Sequence, residues 1–418
     1  MSQIKAIKGF ADLDAAESRQ FYKMEQAARE IFTRYGYQEM RTPVMEFTEL
    51  FKRGIGTETD VVQKEMFTLE DSKGRSMTLR PEATAGVLRA YIEHNVSSRE
   101  AISKFYTYGP MFRHERPQKG RMRQFHQVNC ECLGPSQPES DAELICMLME
   151  FLQTIGIQNL TLQLNSLGCK ECRPTYRTVL REWLAGLDKE ALCEDCKRRM
   201  DTNPLRTLDC KVPACKEHTA AAPLMLEHNC PACAEHFAVV TRLLNAQGIK
   251  YELNHRLVRG LDYYNRTTFE VVSNSIGSQG SVAGGGRYDG LVSSLDGPDV
   301  PGLGFACGME RLAMLMPREG EPRPDFYLAV LTVDARDAAF ALAQNLRQAG
   351  LGGAQSFEAR SMKSAMRQAD KSLARNTLIL GQDELVAGTV VIKNMDGGGQ
   401  LVLPINKAAE ELSARKVK

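Results

Sequence analysis

Two strand-like stretches separated by a charged loop constrain the fold more than any other part of this sequence. Residues 105–113 (FYTYGPMFR) and 124–134 (QFHQVNCECLG) are rich in apolar and aromatic residues, and the loop 114–123 (HERPQKGRMR) is rich in Arg and Lys. Strand-forming runs joined by one polar connection pair as antiparallel neighbours. The sequence therefore predicts a long antiparallel hairpin with a basic tip, and hence a fold that contains an antiparallel sheet.

The second strand of this hairpin has two chemically different faces. Because side chains alternate along a strand, one face carries Phe125, Gln127, Asn129 and Glu131. An aromatic ring, two amides and a carboxylate in a row suit a polar ligand with a flat ring, an amine and a phosphate. A half-buried sheet with a solvated polar face is the alternative, and alternation alone does not separate the two.

Composition excludes several classes of protein. The chain has 418 residues, which suggests two to three domains, and its 43% apolar and 25% charged residues are ordinary globular usage. Lys and Arg number 53 against 52 Asp and Glu, so the net charge is +1. This balance excludes nucleic-acid binding through bulk charge but permits a local basic patch.

Targeting signals are also missing from the sequence. No run approaches the ~18 apolar residues of a membrane span, and residues 1–20 lack the apolar core of a secretory signal. We therefore expect a cytoplasmic protein with no membrane partner. In that compartment the twelve cysteines are more often thiols or metal ligands than disulfides.

Changes in composition predict two domains. The first, 1–324, is interrupted by a Cys- and His-rich inserted subdomain at about 169–240. A linker rich in Pro and charge, 317–325, leads to a second domain, 325–418, in which strands and a helix alternate as in small α/β domains. Apolar periodicity predicts helices at 14–35, 84–95, 139–155 and 335–349.

A phosphate site in this chain would have to be built without a phosphate-binding loop. The sequence contains neither GxxxxGK[ST] nor GxGxxG. Isolated arginines can replace such a loop, because guanidinium groups bind phosphate oxygens bidentately and stay charged. Weak surface ion pairs are the alternative role for most arginines. The arginines in distinctive settings are Arg113, Arg121, Arg259, Arg287 and Arg311.

Eight of the twelve cysteines lie within 169–236 as four close pairs. Three CxxC pairs and one wider pair favour tetrahedral zinc, and eight thiolates suffice for two sites of four cysteines. Free structural thiols are the alternative, and the spacing does not show which pairs would share an ion. The pairs are Cys169 with Cys172, Cys193 with Cys196, Cys210 with Cys215, and Cys230 with Cys233.

Several segments together resemble the motifs of class II aminoacyl-tRNA synthetases. Residues 36–43 (GYQEMRTP) are similar to the first motif, 105–131 to the second and 304–311 (GFACGMER) to the third. Residues 259–264 (RGLDYY) and 284–291 (GGGRYDGL) are similar to the two motifs that distinguish the histidyl-tRNA synthetase family. The resemblance to that family covers nearly the whole chain.

The resemblance implies a fold of the α+β class. A class II synthetase catalytic domain with an antiparallel sheet and an inserted subdomain would precede a small α/β anticodon-binding domain. The implied function is a histidine–tRNA ligase, which activates L-histidine with ATP and transfers it to the 3′-terminal adenosine of tRNA(His). A homodimer through the first motif around Pro43 is also implied. The alternative is a catalytically inactive paralogue acting as a regulatory or tRNA-sensing subunit, which the intact motifs disfavour.

The resemblance also assigns roles to individual residues. Residues 78–84 (TLRPEAT) match a further substrate segment, in which Ala83 replaces the Gly that most of the family has. Arg259, Arg113 and Gln127 are the implied catalytic residues, with Arg259 doing the work that a metal ion does in other class II enzymes. The implied histidine-binding residues are Glu82, Thr84, Gln127, Glu131, Tyr263 and Tyr264, and the implied ATP-binding residues are Arg113, Glu115, Arg121, Phe125 and Arg311.

Two surfaces are predicted to contact tRNA, and Mg²⁺ is expected on the outer phosphates of ATP. In the hairpin loop, Arg116 and Gln118 are candidates for reading the acceptor end. In the second domain, basic residues recur at helical spacing and would form one stripe on a helix. A solvated helix face is the alternative. The residues of this stripe are Arg360, Lys363, Arg367, Lys371 and Arg375.

Overall fold

The computed structural model describes residues 4–57, 59–318 and 320–416. The chain divides into two compact units, Met1–Pro317 and Arg318–Lys418. Each unit has an apolar core of its own, and each is described by itself below.

The amino-terminal unit is built on an eight-stranded sheet. The strands of this unit are β1 (Gln38–Glu39), β2 (Met45–Phe47), β3 (Phe67–Glu70), β4 (Ser76–Leu79), β5 (Ser103–Phe112), β6 (Gln124–Leu133), β7 (Leu160–Ser166), β8 (Tyr251–Leu253), β9 (Asn265–Ser273), β10 (Ser281–Arg287) and β11 (Gly302–Gly308). The large sheet has the order β1-β5-β6-β11-β10-β9-β7-β8, and β2, β4 and β3 form a small second sheet. The outer pairs β1–β5 and β7–β8 are parallel, and the inner neighbours are antiparallel. The predicted fold class is confirmed.

The hairpin predicted from the sequence forms the second and third strands of this sheet, next to the edge strand β1. Strands β5 and β6 pair antiparallel over their full length, from Ser103 opposite Leu133 to Phe112 opposite Gln124. The charged residues between them form the connection, as predicted. Strand β6 also pairs with β11, so its polar face extends into a wider surface.

Helices cover the other face of the sheet. The first helix begins where Asp14 accepts hydrogen bonds from the backbone N–H groups of Ala16 and Glu17. Its Phe32 packs on Phe151 and Phe305 at ring-centroid distances of 5.4 and 5.9 Å. The helices of this unit are α1 (Ala15–Arg34), α2 (Thr48–Ile55), α3 (Thr84–Glu93), α4 (Pro138–Thr154), α5 (Cys172–Ala185), α6 (Glu194–Thr202), α7 (Leu205–Leu208), α8 (Pro213–His218), α9 (Pro231–Ala246), α10 (Leu291–Ser294) and α11 (Met309–Leu315).

The inserted segment is helical and has a core of its own. Helices α5 to α8 and the start of α9 bury Tyr176, Leu180 and Leu184 together with cysteine side chains. This core is small, and thiols supply much of it.

The carboxy-terminal unit has a five-stranded mixed sheet. Its elements are β12 (Phe326–Val330), α12 (Arg336–Gln348), β13 (Gly353–Gln355), α13 (Met362–Ser372), β14 (Asn376–Leu380), α14 (Gln382–Ala387), β15 (Thr389–Asn394), β16 (Gln400–Pro404) and α15 (Ala408–Lys416). The strand order is β13-β12-β14-β15-β16. Within the described part of the chain, every helix is too short or too polar to cross a membrane.

Candidate active site

One face of the large sheet forms the floor of a cavity of about 710 Å³. Strand β6 contributes Phe125, Gln127 and Asn129, the predicted polar face. Its opposite face carries Val128 and Cys130, which are fully buried in the apolar core. The strand therefore separates a polar site from the core. The predicted substrate residues that line the cavity are Glu82, Thr84, Arg113, Glu115, Arg121, Phe125, Gln127, Arg259, Tyr263, Tyr264 and Arg311.

Two arginines of the hairpin reach this cavity. The Nε of Arg113 donates to the carbonyl of Pro81 at 2.8 Å, and its guanidinium lies 5.2 Å from the ring centroid of Phe125. Arg121 forms an ion pair with the buried carboxylate of Glu115. Both guanidinium groups are thus aimed at the cavity by contacts with the loop and its flanks.

A third arginine comes from the start of α11. Arg311 donates to the carbonyl of Ser281 at 2.6 Å and to that of Gly120 at 3.0 Å. Burial lowers the pKa of Arg311, and the neighbouring charges of Arg121 and Arg113 lower it further. Like charges held this close together are stabilised by an anion, so this wall suits phosphate groups.

Arg259 occupies a slot on the floor of the cavity. Its Nη1 donates to the carboxylate of Glu270 at 3.1 Å, and its guanidinium carbon lies 5.7 Å from the ring centroid of Tyr264. The slot exists because residue 284 is Gly, since a β-carbon there would stand 2.2 Å from Nη1 of Arg259. The Nε of Arg259 is buried and has no hydrogen-bond partner among the described residues, which leaves a donor for a bound anion.

Glu82 places a carboxyl group in the same cavity, in contrast to the cationic arginines. Its carboxylate accepts from the backbone N–H groups of Thr84 and Ala85, both at 2.8 Å, at the start of α3. Burial raises the pKa of Glu82, and these hydrogen bonds oppose the rise. A buried carboxylate beside open space suits an ammonium group.

Glu131 lies behind the cavity wall rather than on its surface. It is 2% exposed, accepts from the hydroxyl of Thr84 at 2.6 Å, and is also bonded by the hydroxyl of Tyr288. Burial raises the pKa of Glu131 to about 8, although both hydroxyl groups oppose the rise. Gly304 covers this carboxylate, and a β-carbon at 304 would stand 2.2 Å from its Oε2.

Three tyrosines form an aromatic wall beside Glu131. The rings of Tyr263 and Tyr264 lie 4.6 Å apart, and that of Tyr288 lies 5.7 Å from Tyr263. Tyr288 was not among the predicted site residues, although it lies within the segment 284–291. Glu270 was also not predicted as a site residue. Only the folded structure shows its ion pair with Arg259.

Arg287, one of the arginines from which a phosphate site could be built, does not line the cavity. Its side chain is fully buried and pairs with Asp141, which is 2% exposed. It also donates to the carbonyl of Pro135 at 2.9 Å and to Asp289 at 3.2 Å. Side chains alternate along β10, so Arg287 points away from the face on which Gly284 supports Arg259.

The eight paired cysteines of the insertion form two clusters. Within each cluster the four Sγ atoms lie within 4.8 Å of one another, and the thiols are not joined in disulfides. The first cluster joins the two ends of the insertion, whereas the second lies within it. The first cluster is Cys169, Cys172, Cys230 and Cys233, and the second cluster is Cys193, Cys196, Cys210 and Cys215.

The predicted tRNA-binding residues fall on two separate surfaces. Arg116 and Gln118 are exposed in the hairpin loop, outside the cavity lining. In the second unit, α13 carries only the exposed Lys363, Arg367 and Lys371 of the five stripe residues.

The prediction of one continuous stripe on a helix is therefore wrong at both ends. Ser361 caps α13, so Arg360 precedes the helix and pairs with Glu358 at 2.7 Å. Leu373 adopts a left-handed conformation with φ 55° and ends the helix before Arg375.

Comparison with known proteins agrees with this geometry. A family model described as histidyl-tRNA synthetase matches residues 9–312, and one described as anticodon binding domain matches 325–415. The chain belongs to the histidyl-tRNA synthetase family. A histidine–tRNA ligase of Nitratidesulfovibrio vulgaris strain DP4 is 64% identical over 414 residues, which are 99% of either chain. One of Oleidesulfovibrio alaskensis is 62% identical over 411 residues, 98% of this chain and 99% of that one.

Structural comparison leads to the same family. The crystal structure of apo histidyl-tRNA synthetase from S. aureus has a TM-score of 0.81 and 32% identity, covering 98% of this chain and 100% of that one. The predicted function, histidine–tRNA ligation by an aminoacyl-tRNA synthetase, is confirmed by these full-length matches, and the inactive regulatory paralogue is not favoured.

Proposed function

We propose that this cavity makes histidyl-adenylate, with Arg259 stabilising the reacting phosphate. The observation that carries the proposal is the slot of Arg259. Its guanidinium lies between Gly284 and Tyr264, and Arg113 lines the same cavity. Its Nε has no partner in the part of the chain that the structure describes. Both arginines would hold the α-phosphate.

The first step needs no protein nucleophile. An oxygen of the histidine carboxylate attacks the α-phosphorus of ATP, a new O–P bond forms, and the bond to the β-phosphate oxygen breaks to release pyrophosphate. Negative charge gathers on the α-phosphate oxygens in the transition state. Fixed guanidinium groups stabilise that charge without having to reorganise.

The rest of the nucleotide would lie along the hairpin. Adenine would stack on Phe125 and donate its amino group to Glu115. Because Glu115 is paired with Arg121 in this structure, binding of ATP would exchange that ion pair for contacts of Arg121 and Arg311 with the β- and γ-phosphates.

Histidine would bind between Glu82 and the tyrosines. Glu82, Thr84 and Gln127 would receive the ammonium group, and the buried carbonyl oxygen of Gln127 has no partner within the described part of the chain. Tyr263 and Tyr264 would flank the imidazole. Glu131 would read the ring through Thr84 and Tyr288, because its carboxyl lies behind the wall.

The second step would use tRNA(His). The 3′-terminal hydroxyl of its last adenosine attacks the acyl carbon of the adenylate, and AMP leaves. Arg116 and Gln118 would contact the acceptor end. Lys363, Arg367 and Lys371 would track phosphates of the anticodon arm, with Arg360 and Arg375 at the flanks.

Two kinds of metal fit the residues present. Mg²⁺ would neutralise charge on the outer phosphates. The carboxylates of Glu270 and Glu310 line the cavity and would be its oxygen ligands from the protein. Zinc fits each cysteine cluster, because four thiolates at about 2.3 Å from one ion stand about 3.8 Å apart. The Sγ–Sγ distances in the structure include 3.6 Å for Cys169–Cys172 and 3.8 Å for Cys193–Cys210.

We also propose a homodimer, separate roles for the two domains and a cytoplasmic location. Exposed apolar side chains of Val44, Phe47 and Leu69 near Pro43 support a homodimer through the first motif. Residues 1–324 would hold the adenylate chemistry and 325–418 would supply tRNA affinity. Cysteines that form no disulfide within the described residues are typical of a cytoplasmic protein.

The test is ATP–pyrophosphate exchange with and without histidine. The full-length chain should exchange label only with histidine and without any need for tRNA. Arg259→Ala should lower the rate by ~10²–10³-fold while the protein stays folded, as expected when one transition-state donor is removed. Near-normal exchange by that variant would refute the role of Arg259.

A further inference from the structure

The segment 259–264 is held by the inserted subdomain at both of its ends. Nη1 of Arg206 donates to the carbonyl of Arg259 at 2.8 Å, and Nη1 of Arg173 donates to the carbonyl of Tyr264 at 3.1 Å. The Arg206 side chain is only 16% exposed. The backbone that carries Arg259, Tyr263 and Tyr264 therefore depends on the position of the insertion.

Each of these two arginines lies close in sequence to cysteines of one cluster. Arg173 directly follows Cys172 of the first cluster. Arg206 lies in the segment 197–209, called the connection below, which runs between Cys196 and Cys210 of the second cluster.

The same connection makes two more contacts with the catalytic part of the unit. Arg199 pairs with Asp60 at 2.9 Å, and Asn203 donates to Asp262 at 3.1 Å. The second cluster itself reaches the cavity, since Cys193 and Cys210 are among its lining residues. The second cluster is thus joined to the cavity by a short series of contacts.

We infer that a metal ion in the second cluster positions Arg259 through Arg206, so that its occupancy sets the rate of adenylate formation. The inference rests on the proposed role of Arg259. A bound ion draws four thiolates into one tetrahedron and fixes both ends of the connection 197–209. The connection then holds the carbonyl of Arg259 while Gly284 receives its guanidinium.

Loss of the ion would release this arrangement. Four unligated thiols have no common partner to hold them together, so the connection would be held only by its contacts with Asp60 and Asp262 and by the small core of the insertion. A displacement of about 1 Å at a reacting group is enough to cost ~10²-fold in rate. Arg206 is a positioning residue in this scheme, because it acts through Arg259.

The first experiment uses the full-length chain and leaves the thiols intact. Arg206→Ala should keep its zinc content and its thermal transition, lower kcat for pyrophosphate exchange by about tenfold or more, and leave the KM for ATP nearly unchanged. Arg206→Lys should recover part of kcat. Arg181→Ala is the matched control, because Arg181 donates to the carbonyl of Asp201 within the insertion at 2.8 Å; it should behave as the parent chain.

The second experiment removes the ion. Cys215→Ser should lose one zinc equivalent by elemental analysis, take up deuterium faster across 258–264, and lose exchange activity in parallel. Unchanged uptake and kcat after that loss would overturn the inference, as would a parent chain whose second cluster holds no zinc. Neither outcome touches the role of Arg259, which Arg259→Ala tests separately. Full activity of Arg206→Ala would also overturn it.

Discussion

The guanidinium of Arg259 lies so close to the α-carbon of Gly284 that any side chain at 284 would displace it. A β-carbon there would stand 2.2 Å from Nη1 and 2.4 Å from Nη2. The glycine run of β10 thus provides a slot for a charged side chain. This relationship gives Gly284 a steric reason to be glycine.

Gly284→Ala should therefore impair catalysis without unfolding the protein. The backbone of Gly284 does not need a left-handed conformation, so alanine is tolerated locally while the guanidinium of Arg259 must move. We expect a fall of about 10²-fold in pyrophosphate exchange with an unchanged thermal transition. Gly399→Ala is the control, since a β-carbon there meets no atom within 4 Å. Equal exchange by both variants would show that the slot is not required.

Glu131 should make stability fall as pH rises. Its pKa is about 8 in the folded protein against 4.5 ordinarily, so between these values the folded state holds a proton that the unfolded state has released. The folded state therefore loses relative stability as pH rises from about 4.5 to 8. Glu131→Gln should flatten this dependence, measured as the thermal transition from pH 5 to 9. A parallel pH profile in both proteins would contradict the raised pKa.

Asp141→Asn should destabilise the amino-terminal unit strongly. The change leaves the fully buried Arg287 without the charge of its buried partner, and breaking such a pair costs about 3–5 kcal/mol. Denaturant unfolding should show a lower midpoint. Asp296→Asn is the control: its carboxylate pairs with Arg53 but is 79% exposed, so the midpoint should hardly change. Similar midpoints for both variants would mean that Asp289 alone suffices for Arg287.

Reversing the charges of Lys363 and Arg367 to Glu should weaken tRNA binding. Both residues are exposed on α13, and each lost phosphate contact should flatten the salt dependence of log K by ~0.7–0.9. Histidine-dependent pyrophosphate exchange should stay unchanged, because the cavity residues lie in the other unit. Filter binding over a salt series measures the effect. Unaltered charging kinetics at sub-saturating tRNA would place the helix away from the RNA.

Local patterns in the sequence were enough to predict the β5–β6 hairpin and four of the helices. Alternation identified the polar face of β6, and apolar periodicity located α1, α3, α4 and α12 to within about two residues. The helix of the basic stripe was predicted too long. The spacing of its basic residues does not show that the helix begins after Ser361 or that it ends at the left-handed residue Leu373. The spacing of side chains indicates a helical period, but it does not show the residue at which the helix begins or ends.

The sequence by itself determined which residue types this site has: the arginines, the paired thiols, the glycine run and the polar strand face. Only the tertiary structure decided their partners. It buried Arg287 against Asp141, placed Glu131 behind Thr84, and sorted eight cysteines into two clusters. The physical reason is distance along the chain. A pattern within a few residues is set by backbone geometry, whereas contacts between residues dozens to more than a hundred positions apart are set by how strands and helices pack.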